Sequence, residues 1–174
     1  CALQVVAFLW CHFLSKIESD EKLHSLKRKL ACTPLVGAAE TLACAFSVLA
    51  AHPPDKRLRV LADTSPGSVG ARVVATLRRI VSHLCVSEAW PVTDWRYVPA
   101  EEAARFVASG TRLPLGAVAA LVEALALRLT LVIEYGGRVV ETHHLGPDDK
   151  ANVGGLLVRD GHMSAVLMGP PAPH

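Results

Sequence analysis

No cysteine pair in this sequence forms a CxxC unit, and the five cysteines (Cys1, Cys11, Cys32, Cys44 and Cys85) fit no zinc framework. There is no glycine-rich phosphate loop and no Walker or dinucleotide fingerprint, so the chemistry is expected to need neither cofactor nor metal. Charge is nearly balanced as well. The 18 Lys and Arg stand against 16 Asp and Glu, and a formal net charge of +2 is too small to imply a nucleic-acid partner. The opening apolar stretch, CALQVVAFLWCHFL, is about fourteen residues, short of the roughly eighteen that a membrane span needs. No basic region precedes it, as one would in a signal peptide. The sequence does not open on a methionine, and the chain is expected to be a segment of a longer one.

What is present is a globular composition. The 174 residues are 51% hydrophobic and 20% charged, enough for one domain with or without a small helical lobe. The cysteine count is odd and several cysteines sit in apolar helical patterns, so reduced thiols and a cytosolic compartment are expected. The basic run from Lys22 to Lys29 is interleaved with Leu23, Leu26 and Leu30 at helical spacing and reads as a solvated helix face.

Residues 2–31 read as one or two helices, the first apolar nearly all round. The second is expected to start near Ser19-Asp20-Glu21 and to end in cations, before Thr33-Pro34 breaks the pattern. Residues 1–32 are therefore expected to form a helical arm or N-terminal lobe, and residues 33–174 the main domain. Within that domain, AAETLACAFSVLAA has Leu42, Phe46 and Leu49 at helical spacing and stops at His52-Pro53-Pro54. A short apolar run, LRVLA, follows. Asp63 to Gly67 is a turn, with Ser68 a candidate N-cap for the helix striped by Val73, Leu77, Ile80 and Leu84. PAEEAARFVAS is a shorter helix with Pro99 at its first position and glutamates in its first turn, ending at Gly110.

The rest of the chain is arranged around the tail, from Leu113 to Met168. A helix from Leu115 to Leu129 with few polar residues should be mostly buried. TLVIEY and RVVETHH flank Gly136-Gly137, a two-residue hairpin signal, and Pro147-Asp148-Asp149 turns the chain again. LLVRD and HMSAVLM form a second hairpin around Asp160-Gly161. The fold class expected is α+β: a helical N-terminal lobe, then a small antiparallel sheet of about four strands.

A thiol hydrolase needs a cysteine with a stabilised thiolate and a histidine within hydrogen-bond reach. Cys44, at the most apolar part of its helix, and His162, after a glycine at the start of a strand, are the candidate nucleophile and base. By itself a cysteine in an Ala/Leu helix is more often a packing residue, and a histidine after Asp-Gly more often a turn residue. Cys85 is the rival nucleophile, at a helix end where the dipole disfavours a thiolate. His143 and His144 are rival bases that alternate across a strand, so at most one lines a given cleft. His12, His24, His52, His83 and His174 are expected to do structural or solvent work.

The order of these stretches resembles the papain-like, ovarian-tumour (OTU) type endopeptidases of tymovirus-family replication polyproteins. The resemblance runs through Cys44-Ala45-Phe46-Ser47-Val48-Leu49-Ala50, then LPLGAVAALVEALALRLTLVIEY, then Gly161-His162-Met163-Ser164. Ala43 replaces the family's polar residue before the cysteine, and Met163 its aromatic after the histidine. The resemblance implies an OTU/papain-like fold in which His162 deprotonates Cys44 and an acyl-enzyme forms, with N–H groups at the Cys44 helix start holding the oxyanion. It implies polyprotein junctions after small residues and ubiquitin as substrates. The implied site is the host cytoplasm, extending to membrane-associated replication complexes. Pro34-Leu35-Val36-Gly37-Ala38 and Leu167-Met168-Gly169 look like self-cleavage junctions in that light. Against this stand a non-catalytic α+β interaction module of a larger polyprotein, docking through its apolar first helix and GPP tail, and a membrane-surface module resting on residues 2–31.

Overall fold

The computed structural model describes residues 2–109, 113–150 and 152–167, with the side chains of Ser109, Asn152 and Val153 left aside. The candidate junction at Met168-Gly169, the GPP tail, Gly110 and His174 lie outside the described residues.

The first helix, α1 (Ala2–Phe13), has no solvated face. Leu3, Val5, Val6, Phe8, Leu9 and Trp10 are all buried, which is what an all-round apolar helix requires. Each such side chain contributes about 1.5–3 kcal/mol over its exposed state. The partners come from the whole chain: α1 packs against α3, α4, α5, α7 and the last two strands, and its side chains belong to the same core cluster as theirs. The expected arm at residues 1–32 is therefore no separate body. Its first helix is the centre of the domain.

The second helix, α2 (Lys16–Leu30), starts earlier than the sequence suggests. Ser15 caps it, with Oγ accepting from Glu18 N at 3.2 Å while Ser15 N donates to Glu18 Oε1 at 3.4 Å. The helix α3 (Ala38–Ala50) and then α4 (Pro54–Ala62) follow. The run LRVLA is thus part of a helix, because Pro54 is its first-turn proline and not a stop. The long α5 (Val69–Ser87) is capped by Ser68 as expected, its Oγ accepting from Ala71 N at 3.1 Å. The helix α6 (Ala100–Ser109) carries Glu101 and Glu102 in its first turn.

The buried helix α7 (Leu115–Ala124) stops before Leu129. Ala126, at φ +51°, turns the chain, and Lys22 Nζ donates to its carbonyl at 2.6 Å. From Leu127 the burial alternates with period two, and β1 (Arg128–Tyr135) begins. The hairpin to β2 (Arg138–Leu145) turns on Gly136 and Gly137, at φ +59° and +78°, the left-handed pair a two-residue turn needs. The strands β3 (Asn152–Arg159) and β4 (His162–Val166) pair antiparallel through Asp160 and Gly161, again both at positive φ.

The strand order is β2-β1-β3-β4, and the sheet is mixed. The two hairpins are antiparallel as expected, but β1 and β3 run parallel, Leu131 facing Leu156 and Ile133 facing Val158. The reason lies in the connection after β2. It passes below the start of β1 and delivers β3 to the other side. Arg128 holds that crossing, donating to Gly146 O at 3.0 Å and pairing with Asp148 at 2.9 Å. Gly146 is required there because any Cβ would run into the Leu127 carbonyl.

Candidate functional site

His162 is the first residue of β4, paired with Arg159 across the turn. Alternation turns Met163 and Ala165 toward the core, while His162 and Ser164 are exposed. Among the described residues the His162 ring has no hydrogen-bond partner. Next to it, Arg159 Nη2 bonds Glu134 Oε2 at 3.0 Å.

Cys44 is exposed on α3, six residues beyond the first one, Ala38. Its N–H lies inside the i to i−4 ladder, so the oxyanion role expected of the N–H groups around it has no donors to draw on. The helix α3 packs chiefly against α2 and α5, and β4 packs against β3 and α1. The helix that touches both is α1. A 290 Å³ pocket between α1, α2 and α3 is lined by Trp10, Phe46, Ala43 and Ser47, and Cys44 is not among its walls.

The rival residues sit in different surroundings. Burial, and then the charge of Glu102, pushes the Cys85 thiol up to about 11, which disfavours its thiolate, and its side chain packs in the core. Cys11, buried in the last turn of α1, is pushed up to about 12 by burial despite the nearby Arg57 cation. His143 stacks on Trp95 with ring centroids 4.3 Å apart and its Nε2 lies 2.9 Å from Glu141 Oε2. His144 Nδ1 lies 3.4 Å from Thr130 Oγ1. Both histidines sit on the opposite edge of the sheet from β4. Among the described residues no group of three His, Cys, Asp or Glu side chains could hold a metal ion, and no helix is long and apolar enough to cross a membrane.

Sequence reasoning missed the place of α1 against the strand that carries His162. Leu9 Cδ2 and Phe13 Cε2 lie 3.1 and 3.3 Å from where a Cβ on Gly154 would stand, and Val166 O lies 3.1 Å from the same point. The later turns of α1 thus press on the end of the β3–β4 hairpin remote from His162. The signal was in the sequence, in a helix with no polar face.

No family model matches the sequence, and no curated protein does. The fold does have a counterpart, in the solved structure of h/ceOTUB1 with ubiquitin aldehyde and UBC13~Ub. The two superpose with a TM-score of 0.65 at 14% identity, over 95% of this chain and 72% of that one. The fold is OTU-like. At that identity the likeness is one of fold, and it does not reach the tymovirus-specific part of the resemblance.

Proposed function

We propose that the protein is a cysteine protease of the deubiquitinase kind, with His162 as general base and ubiquitin as a partner. The observation that carries this is His162 itself, exposed at the first position of the last strand in a chain whose fold is OTU-like. The structural counterpart was solved with ubiquitin aldehyde, which supports the substrate class.

The nucleophile expected from sequence is Cys44. Its mid-helix position and the packing partners of α3 weigh against it, and Cys1 is the better proposal. Cys1 lies outside the described residues, but it precedes Ala2, the first residue of α1. The support is the course of α1, which packs on both β3 and β4 and meets Gly154 through Leu9 and Phe13. From Leu9 back to Ala2 the helix covers roughly 10 Å at 1.5 Å per residue. From Val166 back to His162 the strand covers about 13 Å at 3.3 Å per residue. Were α1 to run back along β4 from that shared contact, its start would fall near the hairpin end of the strand. A helix start also stabilises a thiolate and offers unpaired N–H groups to an oxyanion, neither of which the middle of α3 can do.

In this reading His162 takes the thiol proton, the thiolate attacks the scissile carbonyl, and the protonated imidazole gives its proton to the leaving amine. Water then hydrolyses the thioester. The motif resemblance extends the proposal to polyprotein junctions after Gly-type residues, cut in the host cytoplasm at membrane-bound replication complexes.

The test is reaction with a ubiquitin-derived, C-terminally electrophilic probe on wild type, Cys1→Ala, Cys44→Ala, Cys85→Ala and His162→Ala. The adduct is expected to vanish in Cys1→Ala, to form far more slowly in His162→Ala, and to persist in the other two. Loss in Cys44→Ala alone restores the pairing expected from sequence. No adduct on wild type, together with no cleavage of Gly-type peptides, leaves the non-catalytic module as the reading.

A further inference from the structure

The turn after α4, the first half of α5 and the end of α6 enclose an open groove of about 520 Å³, within the range of roughly 300–1,000 Å³ that ligand sites occupy. Thr64, Val74, Ala75, Arg78, Arg79 and Val107 line it, and among the described residues no carboxylate does. Arg78 lies against the Phe106 ring, with Cζ 5.2 Å from the ring centroid. Its Nε is buried and has no hydrogen-bond partner among the described residues. The ring face attracts the cation but offers it no lone pair, so the guanidinium is desolvated without an acceptor.

Arg79 is exposed and, like Arg78, has no ion pair among the described residues. Arg72, Ala75 and Arg79 follow one another along one exposed face of α5, so a third cation stands close by. The nearest acids are turned elsewhere. Asp63 accepts from Ser65 N at 3.0 Å and from Ser65 Oγ at 2.6 Å, within its own turn. Glu101 and Glu102 lie in the first turn of α6, at the other end of that helix from Val107. Two uncompensated guanidiniums call for more than the single charge of a carboxylate. A phosphate monoester brings about −1.5 to −2 and three strong acceptor oxygens, which suit the planar arginine fork.

We propose that this groove binds a small organic phosphate. Its phosphoryl oxygens accept from Arg78, Arg79 and the Thr64 hydroxyl, and its apolar part lies on Val74 and Val107. The site stands whether or not the protein is a thiol hydrolase.

The experiment is a titration of the full chain, followed by ¹⁵N chemical shifts, with phenyl phosphate, inorganic phosphate and benzoate. Saturating shifts are expected at Ala71, Ala75 and Val107, with phenyl phosphate bound roughly five-fold or more tightly than the other two. Arg79→Gln, at an exposed position that leaves the core alone, should weaken it roughly five- to ten-fold. Ala75→Glu sets a carboxylate in the groove from an exposed helix position and should abolish binding. Arg28→Gln removes the same charge from α2, which packs chiefly against α3, and should change the affinity by less than about two-fold. Equal weakening by Arg79→Gln and Arg28→Gln would reduce the effect to net charge and overturn the site. Shifts confined to other residues, or no saturation below about 10 mM, would overturn it too. Benzoate binding as tightly as phenyl phosphate would overturn the choice of a dianion, and inorganic phosphate doing so would overturn the apolar part of the ligand.

Discussion

Arg57 Nη1 donates to the carbonyl of Cys11 at 3.0 Å, from a side chain only 3% exposed. Its Nε bonds Leu49 O and His52 O at 3.1 Å each, and Nη2 reaches Ala50 O at 3.3 Å. One guanidinium therefore bonds carbonyls at the ends of both α1 and α3, where a cation also meets the negative pole of each helix. Arg57→Met keeps the stem and removes the guanidinium donors to these carbonyls. The expected loss is about 3 kcal/mol in a urea unfolding experiment, with Arg57→Lys intermediate. An unchanged midpoint for the methionine variant would mean that water reaches these carbonyls.

His12 stands next to that cap, 7% exposed, with Nδ1 unpartnered and its ring against Phe8 and Phe13 at 5.1 and 4.7 Å. Burial first, and then the Arg57 charge, holds its pKa below the ordinary 6.5. The unfolded chain takes up that proton at a higher pH than the folded chain does. Stability is therefore full above 6.5 and falls as the pH drops below it. His12→Phe retains the ring contacts and removes the orphaned nitrogen. It is expected to raise stability at pH 7.5 by about 1 kcal/mol and to flatten the decline toward pH 5. Denaturant midpoints at the two pH values check this, and an equal acid slope in both proteins would show that His12 is not its source.

Gly154, at φ +141°, is where α1, β3 and β4 meet. A Cβ there would sit 3.1 Å from Leu9 Cδ2 and from Val166 O in a conformation L side chains avoid. Gly154→Ala should cost about 1–3 kcal/mol. It should also slow probe labelling by more than the unfolded fraction explains, because it shifts α1 against the strand of His162. Comparing labelling rate with stability on the same samples separates the two effects, and a rate loss matching the unfolded fraction would remove the positional part.

Local chemistry was legible in the sequence and long-range placement was not. Gly136-Gly137 and Asp160-Gly161 announce their turns because left-handed backbone is needed at those residues and at few others. Ser68 and the Val73-Leu77-Ile80-Leu84 stripe announce α5 in the same local way. The parallel pairing of β1 with β3 depends on a connection crossing below Arg128, which no periodicity encodes. The all-round apolarity of α1 signals burial, but its partners are spread along the rest of the chain. That is why a residue of a local hairpin such as His162 is easy to place from sequence, and its long-range neighbours are not.

Cys11 and Cys85 are buried, with pKa values pushed up to about 12 and about 11, while Cys32 and Cys44 are exposed. In the folded protein at pH 8, iodoacetamide should modify Cys32 and Cys44 and spare Cys11 and Cys85, which react only in denaturant. The raised pair also sets an alkaline limit. The unfolded thiols ionise near 9 and the folded ones do not, so stability present below pH 9 falls as the pH climbs toward 12. The decisive comparison uses a Cys32→Ser/Cys44→Ser protein, in which the remaining reactive thiol is expected to be Cys1. If His162 is its base, that residual alkylation should proceed at pH 6–7, below the range of a free thiol, and should shift to near pH 8.5 in His162→Ala. A residual rate that rises only above pH 8 in both proteins would separate Cys1 from His162 and return the nucleophile to Cys44.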